Sequence, residues 1–206
     1  MANAEFWNAR FGEAGFAYGD KPSDLLAEYA AMLPQGRVLC LAEGEGRNAV
    51  FLARLGHSVH AVDLSPVGLE KAQQLAAREG VRISTEVADL SERAFETDHW
   101  DVIVSIWAHM PSTMRRALHA QVVRALRPGG IFLLEAYTPR QPDMPGVGGP
   151  SREQEDWLMT LAALREELAG LELLHAVERE RVVEEGPYHH GLSSVVQIVA
   201  RRPAVG

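Results

Sequence analysis

Eight consecutive residues, Ala42-Glu43-Gly44-Glu45-Gly46-Arg47-Asn48-Ala49, combine two closely spaced glycines with two carboxylates and a guanidinium. Glycines so spaced let a ligand approach the backbone and face the N-terminus of a following helix. Gly44-x-Gly46-x-x-Ala49 satisfies the pattern of a dinucleotide site. Asp63 follows about twenty residues later, where a carboxylate accepts hydrogen bonds from ribose hydroxyls. A tight turn with no ligand is the plainer reading of the glycines alone, but their setting of strand, turn, helix, strand and acid favours a small-molecule cofactor.

Charge separates two guests for this turn. A dinucleotide brings a doubly anionic pyrophosphate beside Glu43 and Glu45, and one unscreened like-charge contact at ~4 Å costs about 1 to 4 kcal/mol. Arg47 offsets only part of that. S-adenosylmethionine carries no phosphate and presents a sulfonium and an ammonium, so an acidic turn attracts it.

Other candidates lie further along. His109 follows a predicted strand at the carboxyl edge of the sheet, where open α/β folds place their ligands, and is a candidate general base. Tyr188, His189 and His190 gather an aromatic ring and two imidazoles in one turn, with His189 a second candidate base. Adjacent histidines do not supply three or four convergent ligands, so no metal site is predicted. Ile106 and Trp107 close a strand and are candidates to pack against an adenine or the methyl donor.

The elements that position these groups read as βαβ units. From Arg37 onward short β-branched apolar runs alternate with helical stretches, the pattern of a parallel sheet. The predicted strands are 37–42, 57–63, 81–87, 101–107 and 131–134. Ser23 caps a helix through Leu33, a second helix covers about 46–55, Ser65-Pro66 opens a third to about Glu79, and a fourth spans about 112–126. Four prolines make 138–150 a long surface loop, and Ser151 with Gln154 reads as a capping box opening a helix to about Leu168. Extended segments 171–183 and 192–201, joined by 184–191, form a hairpin that gives the sheet an antiparallel edge.

Composition bounds the function. The chain has 206 residues, 47% hydrophobic and 23% charged, which fits one soluble globular domain. Its formal net charge of -8 repels a phosphate backbone, so no nucleic-acid partner is expected. One cysteine, Cys40, builds neither an intramolecular disulfide nor a multi-cysteine zinc site, which points to a reducing compartment. No basic segment followed by an apolar run opens the chain, and no apolar stretch reaches the ~20 residues that span a bilayer, so a cytoplasmic location without a membrane partner is expected.

Taken together, these motifs resemble the class I S-adenosylmethionine-dependent methyltransferases, over about Trp7 to Arg202. The resemblance makes Val38 to Asn48 the glycine-rich first motif and Asp63 with Leu64 the ribose-binding end of the second strand. Asp89-Leu90 becomes the pair that contacts adenine, and Leu126-Arg-Pro-Gly-Gly130 the turn before the fifth strand. Trp7-Asn-Ala-Arg-Phe11, Tyr18-Gly-Asp-Lys-Pro22 and Ala42 to Asn48 look like small bacterial tellurite-resistance and thiopurine methyltransferases. The resemblance implies a Rossmann-like three-layer sandwich around a mostly parallel seven-stranded sheet. It divides the single domain 1–206 into an N-terminal helical lid (1–36), a cofactor-binding core (37–137) and a substrate-side loop, helix and hairpin (138–206).

The expected cofactor is S-adenosyl-L-methionine, held by Tyr18, Ala42, Glu43, Gly44, Gly46, Arg47, Asn48, Asp63, Leu64, Asp89, Leu90 and Ile106. The expected partner is a small-molecule methyl acceptor, and the expected state a monomer or homodimer. A non-catalytic cofactor-binding regulator and a nicotinamide-dependent oxidoreductase are the alternatives. Cys40 and Ala42 depart from the family, which carries an acid and a glycine there. The ammonium anchor then falls to Glu43, Glu45 or ordered water, and Ala42 admits the cofactor provided its φ is negative.

Overall fold

A computed structural model describes residues 3–204. In chain order the elements are α1 (Ala4–Phe11), α2 (Asp24–Tyr29), β1 (Arg37–Leu41), α3 (Arg47–Arg54), β2 (Ser58–Asp63), α4 (Pro66–Arg78), β3 (Ser84–Val87) and β4 (Trp100–Ile106). They continue with α5 (Ser112–Ala125), β5 (Leu126–Tyr137), α6 (Leu161–Glu167), β6 (Glu172–Glu184) and β7 (His190–Arg201). One seven-stranded sheet runs β3-β2-β1-β4-β5-β7-β6. The first five strands are parallel, while β7 inserts antiparallel between β5 and β6. This is the expected Rossmann-like α/β architecture. The strand order reverses between β1 and β4, and the crevice at such a switch point is where open α/β sheets take their ligands.

Alternation along the central strands fills both faces. Val38, Cys40, Val102 and Val104 point into one layer, and Leu39, Leu41, Ile103 and Phe132 into the other, all buried. Helix starts follow the local chemistry: Ser23 Oγ accepts the Leu26 N–H (3.3 Å), and Ser65 Oγ accepts that of Gly68 (3.1 Å) ahead of Pro66. No helix among the described residues is long and apolar enough to cross a membrane.

Three elements differ from expectation. The stretch after Ser151 is a 3₁₀ turn over Arg152–Trp157, with a separate helix from Leu161. Leu158 and Met159 are pulled into the core, and Met159 N–H donates to Tyr137 O (2.9 Å), so the chain goes extended where the pattern predicts helix. The helix after Ser23 is α-helical only to Tyr29 and tightens to a 3₁₀ turn, leaving Met32 exposed. Strand β5 runs on to Tyr137 through the buried Glu135, because Arg181 on β6 neutralises that carboxylate.

Between α5 and α6 a second buried charge cluster ties the two helices. Arg115 reaches both oxygens of Glu167 (2.8–3.2 Å), and His119 Nδ1 lies 2.7 Å from the same carboxylate. Burial alone would raise the Glu167 carboxyl, but these partners bring it down to about 2. A depressed acid stabilises the fold above its unfolded value of about 4.3, and that contribution is lost as pH falls toward the folded value. Acid unfolding of the parent chain should therefore show a loss of about 2 to 3 kcal/mol between pH 4.5 and 2 that Glu167→Gln lacks, measured by urea titration across that range.

Candidate active site

The carboxyl ends of β1, β2 and β4 open into a cleft of about 470 Å³, roofed by α1, the segment around Tyr18 and the β6–β7 turn. Backbone geometry at β1's end is unusual. Ala42 has φ 49°, followed by Gly44 at 59° and Gly46 at 87°. Ala42 therefore violates the negative φ expected of it, and close approach at the turn is obtained with a strained alanine instead. A Cβ on Gly44 would come 2.8 Å from the Phe11 ring, and one on Gly46 2.5 Å from Ala72 Cβ, so packing by itself already demands both glycines. Gly46 is spent in this way, capping α3 against α4, and does not line the cleft.

The acidic turn divides into groups facing the guest and groups holding the roof. Glu45 belongs to the roof: its Oε2 accepts the Ala17 N–H (2.7 Å) and its Oε1 pairs with Lys71 (2.8 Å). Asn48 Oδ1 accepts the Ser23 N–H (2.9 Å), while Arg47 pairs with Glu185 from the β6–β7 turn. The motif puts both on the cofactor; both line the cleft, and their polar atoms also strap the N-terminal segment and the hairpin over it. Ser65 Oγ adds a bond to Asn8 Oδ1 (2.6 Å) on α1.

Glu43 and Asp63 are left facing the cleft. Asp63 Oδ2 accepts the Gly44 N–H and Oδ1 the Ser65 N–H, both at 2.8 Å. Burial pushes its carboxyl up, and these amides oppose the shift. Glu43 Oε1 accepts the Ala49 N–H (2.7 Å). Asp63 and Glu43 thus occupy the Gly44 and Ala49 amides that a phosphate would use, and neither acid has an ion-pair partner among the described residues. A nucleoside bearing positive charge fits this donor set; a pyrophosphate does not.

Leu64, Ala88 and the buried Leu90 line the cleft beside Asp63, and Ile106 lines it from β4. Asp89 lines the same edge, with Oδ1 accepting from Ser91 N–H (2.8 Å) and Oγ–H (2.7 Å). The other end is aromatic. Trp107 and Tyr137 stack with centroids 4.4 Å apart, and the His189 ring packs 5.0 Å from Trp107 and 4.5 Å from Tyr18. Trp107 has φ 60°, a conformation costing about 1 to 3 kcal/mol in a bulky residue. Its backbone N–H donates to Glu135 O (2.8 Å) and its indole N–H to Glu185, which over-determine the pose.

The two candidate bases differ. His109 Nε2 accepts the Tyr137 N–H (2.9 Å), leaving Nδ1–H to donate to Trp107 O (3.1 Å). Its one lone pair is spent, and burial lowers its pKa to about 4. That geometry corrects the base assignment: His109 pins the end of β5 to the cleft wall. His189 is 7% exposed and its Nδ1 has no partner among the described residues. Burial, with the positive charge of Arg47 next, pushes its pKa well below the usual value, so it stands neutral. His190 faces out, because side chains alternate along β7.

Several site residues carry no clear signal in the sequence. Gly148, within the predicted surface loop, is a cleft wall, since a Cβ there would meet Tyr137 Oη and come 2.7 Å from His189 Cδ2. Glu135 was findable as a lone acid inside the apolar run 131–137. Arg181 was not, lying among several alternating charges. Among the described residues no three His, Cys, Asp or Glu side chains converge to hold a metal ion.

Residues 38–130 match the profile of a family described as methyltransferase domain. A 2-heptyl-1-hydroxyquinolin-4(1H)-one methyltransferase of Mycobacteroides abscessus is 26% identical over 131 residues, covering 62% of this chain and 57% of that protein. The chain spans about half the length of the curated relatives it matches. Among solved structures, TehB from Haemophilus influenzae superposes with a TM-score of 0.71 at 19% identity, over 97% of this chain and 66% of that one. Magnesium protoporphyrin IX methyltransferase from Synechocystis, solved with bound SAH, gives 0.64 at 16% identity over 86% and 79%.

Proposed function

We propose that this chain, a class I S-adenosylmethionine-dependent methyltransferase by its domain match, motif order and sheet order, methylates a small-molecule acceptor. The observation that carries the reading is the pair Glu43 and Asp63, free of any ion-pair partner among the described residues and facing one cleft with an aromatic far end. Its volume of about 470 Å³ lies within the range of small-molecule sites. Asp63 holds the ribose hydroxyls, Leu64 and Leu90 flank the base with Asp89 at its edge, and Glu43, Tyr18 and Ile106 border the amino-acid end. When bound, the cofactor supplies a methyl group already activated by a sulfonium.

What remains for the protein is alignment and exclusion of water. The roof straps from Glu45, Arg47 and Asn48 keep solvent out, and Trp107, backed by the buried Tyr137, gives the acceptor a flat wall together with Tyr18. His109 orients the Trp107–Tyr137 wall. A soft anionic acceptor needs no base; for a hydroxyl or thiol, His189 is the neutral imidazole left to receive the proton. The relative that acts on a hydroxyquinolinone supports an acceptor of modest size with an aromatic body. The reading places the protein in the cytoplasm as a monomer or homodimer.

Two measurements test it. At a hundredfold excess over its dissociation constant, S-adenosylhomocysteine adds about 2.7 kcal/mol and should raise the melting temperature by about 5 to 10 °C, while NADH leaves it unchanged. Turnover of labelled S-adenosylmethionine against a panel of thiols, phenols, selenite, tellurite and small amines should yield methylated product with at least one member. A shift with NADH alone would refute the cofactor reading, and cofactor binding without product across the panel would favour a regulator.

A further inference from the structure

The other acids at the cleft engage partners of their own, Asp89 through Ser91. Glu45 is matched by Lys71, Glu185 by Arg47 and Arg181, and Asp63 is held by two amides. Glu43 lines the cleft with one carboxylate oxygen on the Ala49 N–H, and no basic side chain pairs with it among the described residues. The charged and titratable groups around it come from three elements: Cys40 on β1, Asp63 at the end of β2 and Arg47 on α3. Arg47 directs its guanidinium to Glu185. Cys40 is fully buried, and burial pushes its thiol well up, so it brings no charge. Asp63 adds repulsion.

We propose that Glu43 takes the ammonium of the cofactor's amino-acid end, the part that the neutral Cys40 cannot play, and that the arriving cation expels a proton from this carboxyl group. The O–H bond breaks toward solvent, and the carboxylate left behind pairs with the ammonium. Burial, with Asp63 adding to it and the Ala49 amide, the Arg47 charge and the Asn48 amide opposing, pushes the free carboxyl up to about 7, so the exchange falls in the neutral range. The cleft's affinity then rises with pH through neutrality. This inference rests on the cofactor reading above.

Calorimetry in buffers of different ionisation heat tests it, with S-adenosylhomocysteine and with 5′-methylthioadenosine, which lacks the amino-acid end. The parent protein should release a substantial fraction of a proton per S-adenosylhomocysteine at pH 6.5, less at pH 8, and none with methylthioadenosine. Glu43→Gln keeps an oxygen for the Ala49 N–H; it should bind S-adenosylhomocysteine about 10- to 100-fold more weakly, abolish proton release, and leave methylthioadenosine within about twofold. Binding of S-adenosylhomocysteine by the parent without proton release at pH 6.5 overturns the proposal, as does a Glu43→Gln variant that binds it like the parent. If neither nucleoside binds the parent protein, the cofactor reading falls and this proposal with it.

Discussion

Asp63→Ala should reduce affinity for S-adenosylhomocysteine at least a hundredfold and abolish the ligand-induced rise in melting temperature. Two effects add. The carboxylate that receives the ribose hydroxyls is lost, and charge-assisted hydrogen bonds of this kind contribute about 1.5 to 3 kcal/mol each. The Gly44 and Ser65 amides, each 2.8 Å from that carboxylate, also lose their acceptor, so the glycine turn loses the group that sets its shape. Titration calorimetry against the ligand, with the melting temperature of the ligand-free variant alongside, separates the two. A variant whose ligand-free melting temperature is near the parent's and whose affinity is also unchanged would remove Asp63 from the binding site.

The second large effect is on stability. Arg181 lies behind the cleft wall, with Nε 2.8 Å from Glu135 Oε1, Nη2 3.0 Å from Glu135 Oε2 and 3.0 Å from Glu185 Oε1. Gln197 Nε2 donates to the same Glu135 (2.8 Å). Glu135 is fully buried, and burial pushes its carboxyl up even against Arg181. Replacing one partner of a buried pair strands the other, at a cost of about 3 to 5 kcal/mol. Arg181→Met should therefore lower the melting temperature by about 6 to 20 °C for a domain of this size. Glu185 loses one of its two arginines as well, while its other oxygen keeps Arg47 and the Trp107 indole. The double variant Arg181→Met with Glu135→Leu should recover over half of the lost stability, because no isolated charge remains inside. A single variant that melts like the parent would mean that the network contributes nothing net.

Patterns whose cause is local were legible in the chain itself. Ser65-Pro66 opens α4 because a hydroxyl cap and a fixed proline φ act within one turn of backbone, and the central strands β1, β4 and β5 follow from apolar runs too continuous to face water. The helix expected after Ser151 failed where a non-local contact intervened: Met159 bonds to Tyr137, a residue twenty-two positions away, which periodicity cannot register. The same limit governs the site. Glycine spacing and Asp63 placed the cleft, yet Glu43 and Glu45 look alike in the sequence and act differently in the fold.

What decided between those two acids was the position of Lys71 and Ala17 around one and their absence around the other. His109 and His189 were likewise equal as candidates until the Tyr137 N–H filled one lone pair and left the other. The sequence by itself determined the βαβ elements and the acidic character of the turn, since propensity, capping and net charge are properties of neighbouring residues. Only the tertiary structure decided which charges are cancelled and which stay available. That depends on partners contributed by distant segments, and a carboxylate's chemistry is set by its partners as much as by its own pKa.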